Sequence, residues 1–339
     1  MAAAVPSNVI NGYTYTSWFK PEVARTVVDK IGVKERRFAG PETCASDLCL
    51  AAAERLIEDM AVDKSEIDLL IMVTQTGDFR MPATSLLLQN RLGLSKQTMT
   101  FDINLACSGF VYALSVVYAL MQQGGLRKAL LVDGETRSKV YSPKDRQVAF
   151  LFGDGGVAAL IERDERFGES FFSLNADGSK ESLIKVNAGG YRNPSSPETL
   201  KEKVIDEHGN IRSEEQGYML GADVFNFLIK EIPRDINLLL EKTRTPMESI
   251  DYWLFHQANL FMNNHLMKKL KLEPEKMPLS IDKFGNTSSV SIPLTIVSEL
   301  GSSLDTRKTL LLSAFGSGMS WATGIITLNG CHICPLVEI

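Results

Sequence analysis

The chain has 339 residues, 44% of them hydrophobic and 23% charged, with a formal net charge of −5. That length fits two domains or one large duplicated unit, and the acidic balance argues against general nucleic-acid binding. No apolar run is long and clean enough to cross a bilayer. The M-A-A-A-V-P-S-N start lacks a basic n-region, and five cysteines are an odd, sparse set for a disulfide framework. The expected location is therefore the cytoplasm, with no membrane and no nucleic acid as partner.

In chain order, Pro21–Lys30 is predicted as a helix ended by Gly32, followed by a basic cluster, V-K-E-R-R, at Val33–Arg37. Thr43–Met60 carries Ala, Leu and Glu at helical spacing. Ile67–Val73 is predicted as a buried strand, Thr74–Met81 as a loop, and Pro82 opens a helix through Ser85–Arg91 that stops near Gly93. Thr100–Gly109, T-F-D-I-N-L-A-C-S-G, runs from a strand-like segment into Cys107. The charge-free run Phe110–Met121 then predicts a helix buried on all sides, ended by Gly124 and Gly125. Lys128–Asp133 is a further strand, and within Ala149–Ile161 a glycine turn leads into another.

The second half repeats this plan. Ser65–Val73 matches Ser249–Phe255, Arg127–Val132 matches Arg307–Leu312, and Gly153–Ile161 resembles Gly316–Ile326. Three matches in the same order suggest a duplicated α/β unit: two similar sheets with helices between and around them. Gly178–Gly217 is polar and rich in Gly, Pro and Ser, and is expected as loops or a hairpin excursion. The strand preceding Val5–Pro6 is expected to be mostly missing.

Cys107 sits where a strand turns into a helix, flanked by Ala106, Ser108 and Gly109. Free amides and the helix macrodipole there favour thiolate, although a free Cys is also simply a small apolar residue. His256 follows the apolar Y-W-L-F and opens H-Q-A-N, at a strand end where open α/β folds place their sites; a merely hydrogen-bonded histidine is the alternative. Asn286 lies in F-G-N-T-S-S, which by itself reads as a turn, as does F-G-S-G-M-S-W at Phe315–Trp321. A Cys, a His and an Asn on three strand-to-loop junctions form a candidate nucleophilic site. His265 is expected on a helix surface and His208 in a turn. The C-terminal C-x-x-C with His332 between Cys331 and Cys334 shows too few ligands for a zinc site, so no metal is expected.

Taken together, D-I-N-L-A-C-S-G-F around Cys107, D-R-Q-V-A-F-L-F-G-D-G around Asp154, N-A-D-G-S at Asn175–Ser179, H-Q-A-N at His256, G-N-T-S-S at Asn286 and F-G-S-G-M-S-W at Gly316 resemble the β-ketoacyl-[acyl-carrier-protein] synthase III family. The resemblance runs from about Val5 to Leu328. It implies a thiolase-like fold: duplicated βαβαβαββ halves, expected at residues 1–165 and 166–339, in a five-layered αβαβα sandwich. It implies an acyltransferase initiating fatty acid biosynthesis as a homodimer. An acyl thioester, on CoA or an acyl carrier, would load Cys107, and a malonyl-carrier thioester would lose carbon dioxide and attack it. The thioesters are substrates, and no cofactor is implied. By the same resemblance, the backbone N–H groups of Cys107 and Ser317 form an oxyanion hole, while His256 and Asn286 stabilise the enolate. Ser317 stands where the family usually has glycine. Asn286 separates the priming class from elongating synthases, which carry a second histidine there.

Other positions depart from the family pattern. Thr26 and Lys30 stand where a tryptophan and an arginine commonly grip the CoA adenine. Arg146 matches a position used for the CoA end, and Phe261 replaces a basic residue after H-Q-A-N-L. Lys30, Arg146, Asn259 and Phe261 are therefore the expected substrate contacts. Met81 occupies the place of a phenylalanine that crosses the dimer interface to close the acyl pocket, where a flexible thioether would admit a longer or branched acyl group. Lys268 and Lys269, with Arg36 and Arg37, are a candidate docking patch for an acidic carrier protein. A specialised condensing enzyme of secondary metabolism, or a catalytically silent partner subunit, are the alternatives.

Overall fold

A computed structural model of the chain describes residues 1–16, 18–122, 124–164 and 168–339; the expected division at 165/166 lies outside the described residues. One six-stranded sheet runs in the order Val337–Glu338, Ala2–Val5, Asp154–Glu162, Lys128–Thr136, Leu69–Val73, Met99–Ile103. A second, four-stranded sheet runs Tyr252–Phe255, Lys308–Gly316, Ser320–Leu328, Phe171–Ala176. The three matched stretches occupy equivalent places. Leu69–Val73 lies parallel to Lys128–Thr136, as Tyr252–Phe255 does to Lys308–Gly316. Each of those partners then pairs antiparallel with a glycine-led strand, Asp154–Glu162 or Ser320–Leu328.

The layers follow from the period-2 alternation of strand side chains. Leu69, Ile71 and Val73 face a central cluster shared with Phe110, Val111, Leu114 and Val117 of the Gly109–Gln122 helix. Ile292, Ile296 and Leu300, and Leu254, Leu310 and Leu312 of the other sheet, complete that cluster. Leu70 and Met72 face the opposite way, onto the Ala45–Asp59 helix. Trp253, Phe255 and Leu311 pack against the outer helices Gly221–Thr243 and Leu260–Leu270. The result is five layers, α-β-α-β-α, and the central helix is flanked by sheets because it has no charge to solvate. Leu312 is wholly buried in the central layer. Leu312→Ala is expected to lower the unfolding free energy by about 2–5 kcal/mol through lost transfer energy and an unfilled cavity, read as a lower urea midpoint at unchanged slope.

Gly178–Gly217 is the expected excursion of short elements, including the antiparallel pairing of Lys203–Val204 with Ile211–Arg212. The N-terminus corrects the sequence expectation. Ala2–Val5 is a complete, fully buried strand, antiparallel to Asp154–Glu162. Three of its four residues are alanines, which carry little strand propensity, so sheet pairing determines the element. Val337–Glu338 adds a parallel strand on its other side, which covers what would be a bare sheet edge. The tail is tied down further where side-chain ligand atoms of Asp59, His332 and Cys334 come within 4.8 Å of one another.

Candidate active site

The catalytic candidates meet where the two halves touch. Asn286 is held between them by its main chain: its N–H donates to Leu151 O at 2.9 Å, and its carbonyl accepts from Gly153 N at 3.1 Å. His256 continues the Tyr252–Phe255 strand and donates its N–H to Ser313 O at 2.9 Å. Cys107 precedes the central helix, and the Gly316 turn closes over it. A Cβ on Gly316 would lie 2.7 Å from Cys107 N and 3.0 Å from Ala106 Cβ, so glycine is required for this approach. Cys107, His256, Asn286 and Ser317 all line one cavity of about 30 Å³.

Hydrogen bonds orient the Asn286 amide and hold the His256 ring in place. Asn286 Oδ1 accepts from Ser288 N at 2.9 Å, so the amide is oriented with Nδ2 toward Ala258 O (3.3 Å) and His256 Nε2 (3.4 Å). His256 Nδ1 lies 2.7 Å from Ser291 Oγ, and that oxygen already accepts from Gln257 N at 3.3 Å. A serine hydroxyl accepts twice and donates once, so both tautomers fit this contact; when Ser291 donates to Nδ1, the ring proton is on Nε2. In that tautomer two neutral donors, His256 Nε2–H and Asn286 Nδ2–H, stand side by side, placed to share one acceptor oxygen. Burial lowers the His256 pKa to about 3, with the charge of Arg137 acting in the same direction and a backbone contact to Ser288 opposing it. The imidazole is neutral across the ordinary pH range.

The thiol departs from the sequence expectation of a thiolate. Burial pushes Cys107 up to about 11, while the positive charge of Arg137 and the Ser288 hydroxyl, 3.6 Å from Sγ, pull it down. Desolvation disfavours the charged form more than those groups favour it, so the resting group is a thiol. Alkylation of Cys107 by iodoacetamide is accordingly expected to accelerate about tenfold per pH unit from pH 7 to 10 with no plateau; a plateau near pH 8 in mass-spectrometric time courses would place the pKa lower.

A larger cleft of about 940 Å³ adjoins the cavity and shares Leu151, Met219, Asn259 and Met262 with it. Thr26, Lys30, Arg146 and Phe261 line this cleft, so most of the expected substrate contacts sit along one approach to Cys107. The Lys30 ammonium lies 5.7 Å from the Phe261 ring centroid, and Phe261 packs on Phe225 at 5.1 Å. Asn259 borders both spaces; its Oδ1 caps the Leu260–Leu270 helix by accepting from Met262 N at 2.8 Å, which fixes the amide while Nδ2 offers two donors to a ligand.

Two expected contributors lie elsewhere. Met81 is 75% exposed and lines neither space in a single chain. Arg36 is buried and donates to Ala149 O at 2.7 Å, and Arg37 pairs with Glu338 at 2.9 Å. The proposed docking patch thus loses both arginines to structural roles, and Lys268 and Lys269 remain, exposed on the last turn of their helix. Sequence reasoning missed Ser288, Ser291, Tyr141 and Arg137. The last had a readable signal: Asp133 and Glu135 alternate along the end of a buried strand, which places two charges on one face, and Arg137 follows directly in the turn after Thr136.

The same layers and the same cavity-lining segments frame the comparison with known proteins. The family described as 3-oxoacyl-[acyl-carrier-protein (ACP)] synthase III matches residues 101–178, and its C-terminal counterpart matches residues 240–328. The Aliarcobacter butzleri protein named beta-ketoacyl-[acyl-carrier-protein] synthase III is 38% identical over 304 residues, covering 88% of each chain. A Burkholderia xenovorans 3-oxoacyl-(acyl-carrier protein) synthase structure superposes with a TM-score of 0.92 at 36% identity, over 100% of this chain and 95% of that one. The priming beta-ketosynthase of a polyketide biosynthetic pathway superposes with a TM-score of 0.81 at 26% identity, over 97% of this chain and 95% of that one. With the family's two matched segments carrying Cys107 in one and His256 and Asn286 in the other, this chain belongs to the 3-oxoacyl-[acyl-carrier-protein] synthase III family of acyltransferase-type condensing enzymes.

Proposed function

We propose that this chain is a β-ketoacyl-acyl-carrier-protein synthase III that initiates fatty acid biosynthesis by joining an acyl thioester to malonyl-carrier protein through an acyl-Cys107 intermediate. The observation that carries this is the convergence of one thiol and two neutral donors on a single cavity at the end of a cleft. In the first half-reaction Cys107 Sγ bonds to the thioester carbonyl carbon. The donor's C–S bond breaks, and the departing thiol takes the Cys107 proton. The backbone N–H groups of Cys107 and Ser317 receive the oxyanion. In the second, the malonyl thioester loses carbon dioxide. His256 Nε2–H and Asn286 Nδ2–H hold the enolate oxygen, and the enolate carbon displaces Cys107 from the acyl carbonyl. Neutral donors suit this step, because they stabilise a developing anion without first pairing with the malonyl carboxylate.

The donor thioester, on CoA or on carrier phosphopantetheine, enters by the cleft bounded by Lys30 and Arg146, with Asn259 and Phe261 beside it. Thr26 offers no aromatic face for an adenine, which favours a carrier or an unusual thioester as acyl donor. Lys268 and Lys269 are the cations offered to an acidic carrier surface. Exposed Phe79, Met81 and Tyr191, the last beneath Arg80 at 5.8 Å, supply the apolar face for a homodimer. Five free thiols fit a reducing cytoplasm. Specialised condensation in secondary metabolism is the second reading, favoured by the structural likeness to a priming polyketide synthase. The test is incubation of the protein with acyl-CoA or acyl-carrier thioesters and malonyl-carrier protein. A Cys107 adduct, followed by carbon dioxide and a 3-oxoacyl-carrier product, is expected; an adduct-free protein and no product would refute the proposal.

A further inference from the structure

We propose that Arg137 makes the pocket beside Cys107 selective for short acyl groups that carry a hydrogen-bond-accepting oxygen, such as hydroxyacyl or oxoacyl groups, over saturated hydrocarbon chains of the same length. This rests on Cys107 being the acyl carrier. Arg137 lines the same cavity as Cys107 and is only 7% exposed. Its guanidinium lies over the rings of Tyr141 (5.3 Å) and Phe152 (5.7 Å), which are themselves stacked at 4.0 Å. The aromatic wall holds the cation at the cavity instead of letting it reach solvent.

The donors of Arg137 are incompletely used. Nη2 donates to Tyr141 OH at 2.8 Å, and Nη1 reaches Gln75 Oε1 only at 3.4 Å. Glu135 Oε2 is 3.9 Å from Nη1, and the Glu135 carboxyl is already taken up by Gln75 N (3.0 Å) and Thr76 Oγ1 (2.8 Å). Nε–H has no acceptor among the described residues and is closed off from the cavity as well, so the donors a ligand would meet are the second hydrogens of Nη1 and Nη2. A guanidinium has five N–H donors and keeps its proton, and leaving such a donor unpaired inside a protein is costly. A methylene chain packed against it would preserve that cost. A hydroxyl or keto oxygen a bond or two beyond the thioester carbonyl would remove it. A site whose polar groups are left unpaired by the wrong ligand discriminates strongly against it.

Size acts in the same direction. A cavity of about 30 Å³ holds roughly one water, so it takes a short acyl group, and Met219 and Met262 on its wall are the side chains most able to yield.

The test measures initial rates of Cys107 acylation by intact-protein mass spectrometry with matched CoA thioesters: acetyl against hydroxyacetyl, and butyryl against 3-hydroxybutyryl and 3-oxobutyryl, with octanoyl as the long-chain control. Wild-type protein is expected to load the oxygen-bearing member of each pair at least tenfold faster, and octanoyl slowest. Arg137→Met is expected to bring those ratios to unity or below. If Arg137 serves only to position or activate Cys107, R137M slows every donor by the same factor and leaves the ratios unchanged, and the proposal is wrong. Equal or faster loading of the saturated partners by wild-type protein overturns it without any variant having to fold. If no thioester loads Cys107 at all, the acyl-carrier role falls, and the selectivity built on it falls too; loading without discrimination sinks the selectivity alone.

Discussion

Cys107→Ala is expected to abolish both the acyl adduct and formation of the condensation product, a loss of about 10⁴-fold or more, the scale seen when a covalent nucleophile is removed. The effect is large because Sγ is both the attacking atom and the leaving atom of the second half-reaction, and no other thiol lines the cavity. The remaining cysteines lie elsewhere: Cys44 caps the Ala45–Asp59 helix, Cys49 is buried under the first sheet, and Cys331 and Cys334 are in the tail. Alanine matches the apolar size of the position, so the variant is expected to fold and melt as the parent does. Intact-mass analysis checks the adduct, and product formation from malonyl-carrier protein checks turnover. Full product formation by the alanine variant would eliminate the nucleophile assignment.

His256→Ala and Asn286→Ala are expected to divide the reaction differently. Each removes one of two donors aimed at the enolate oxygen, so decarboxylation of the malonyl thioester should fall by about 10²–10³-fold per donor. Acylation of Cys107 should persist, since its oxyanion is held by backbone. Asn286→Asp should do no better than alanine, because a carboxylate replaces the donor with an acceptor. The pH dependence has a defined sign. Burial holds His256 near 3, so above that value the ring is neutral and its donor capacity unchanged. Decarboxylation measured from pH 5 to 8 is expected to be flat with respect to this group. A step with an apparent pKa of 6–7 that disappears in the alanine variant would mean the imidazole is charged in the complex. Release of carbon dioxide from labelled malonyl-carrier protein measures the second half-reaction, and intact mass measures the first.

What was legible in the sequence was chemistry carried by local patterns. Uncharged Phe110–Met121 could only be an enclosed helix, and the paired strand stretches fell at equivalent places in two sheets. Cys107, His256 and Asn286 each stood at a strand-to-loop junction, which is a property of short segments. Their meeting in one cavity depends on contacts between Leu151, Gly153 and Asn286 across the two halves, and no local pattern encodes such a contact. Ala2–Val5 was missed for a related reason: its strand state comes from neighbours on both edges, which outweigh the weak preference of three alanines.

The sequence by itself carried the duplicated α/β plan, because hydrophobic period is a local quantity, and the motifs around Cys107, His256 and Asn286 through which the chain resembles its family. The tertiary structure alone decided their ionisation and their surroundings. Desolvation depends on everything that encloses a group, and it made Cys107 a thiol and His256 a neutral ring. Packing turned Arg36 inward, left Met81 on the surface, and brought Arg137, from the turn after a strand, to the wall of the cavity that Cys107 lines. Those placements are long-range, and it is there that this chain differs from what its motifs alone imply.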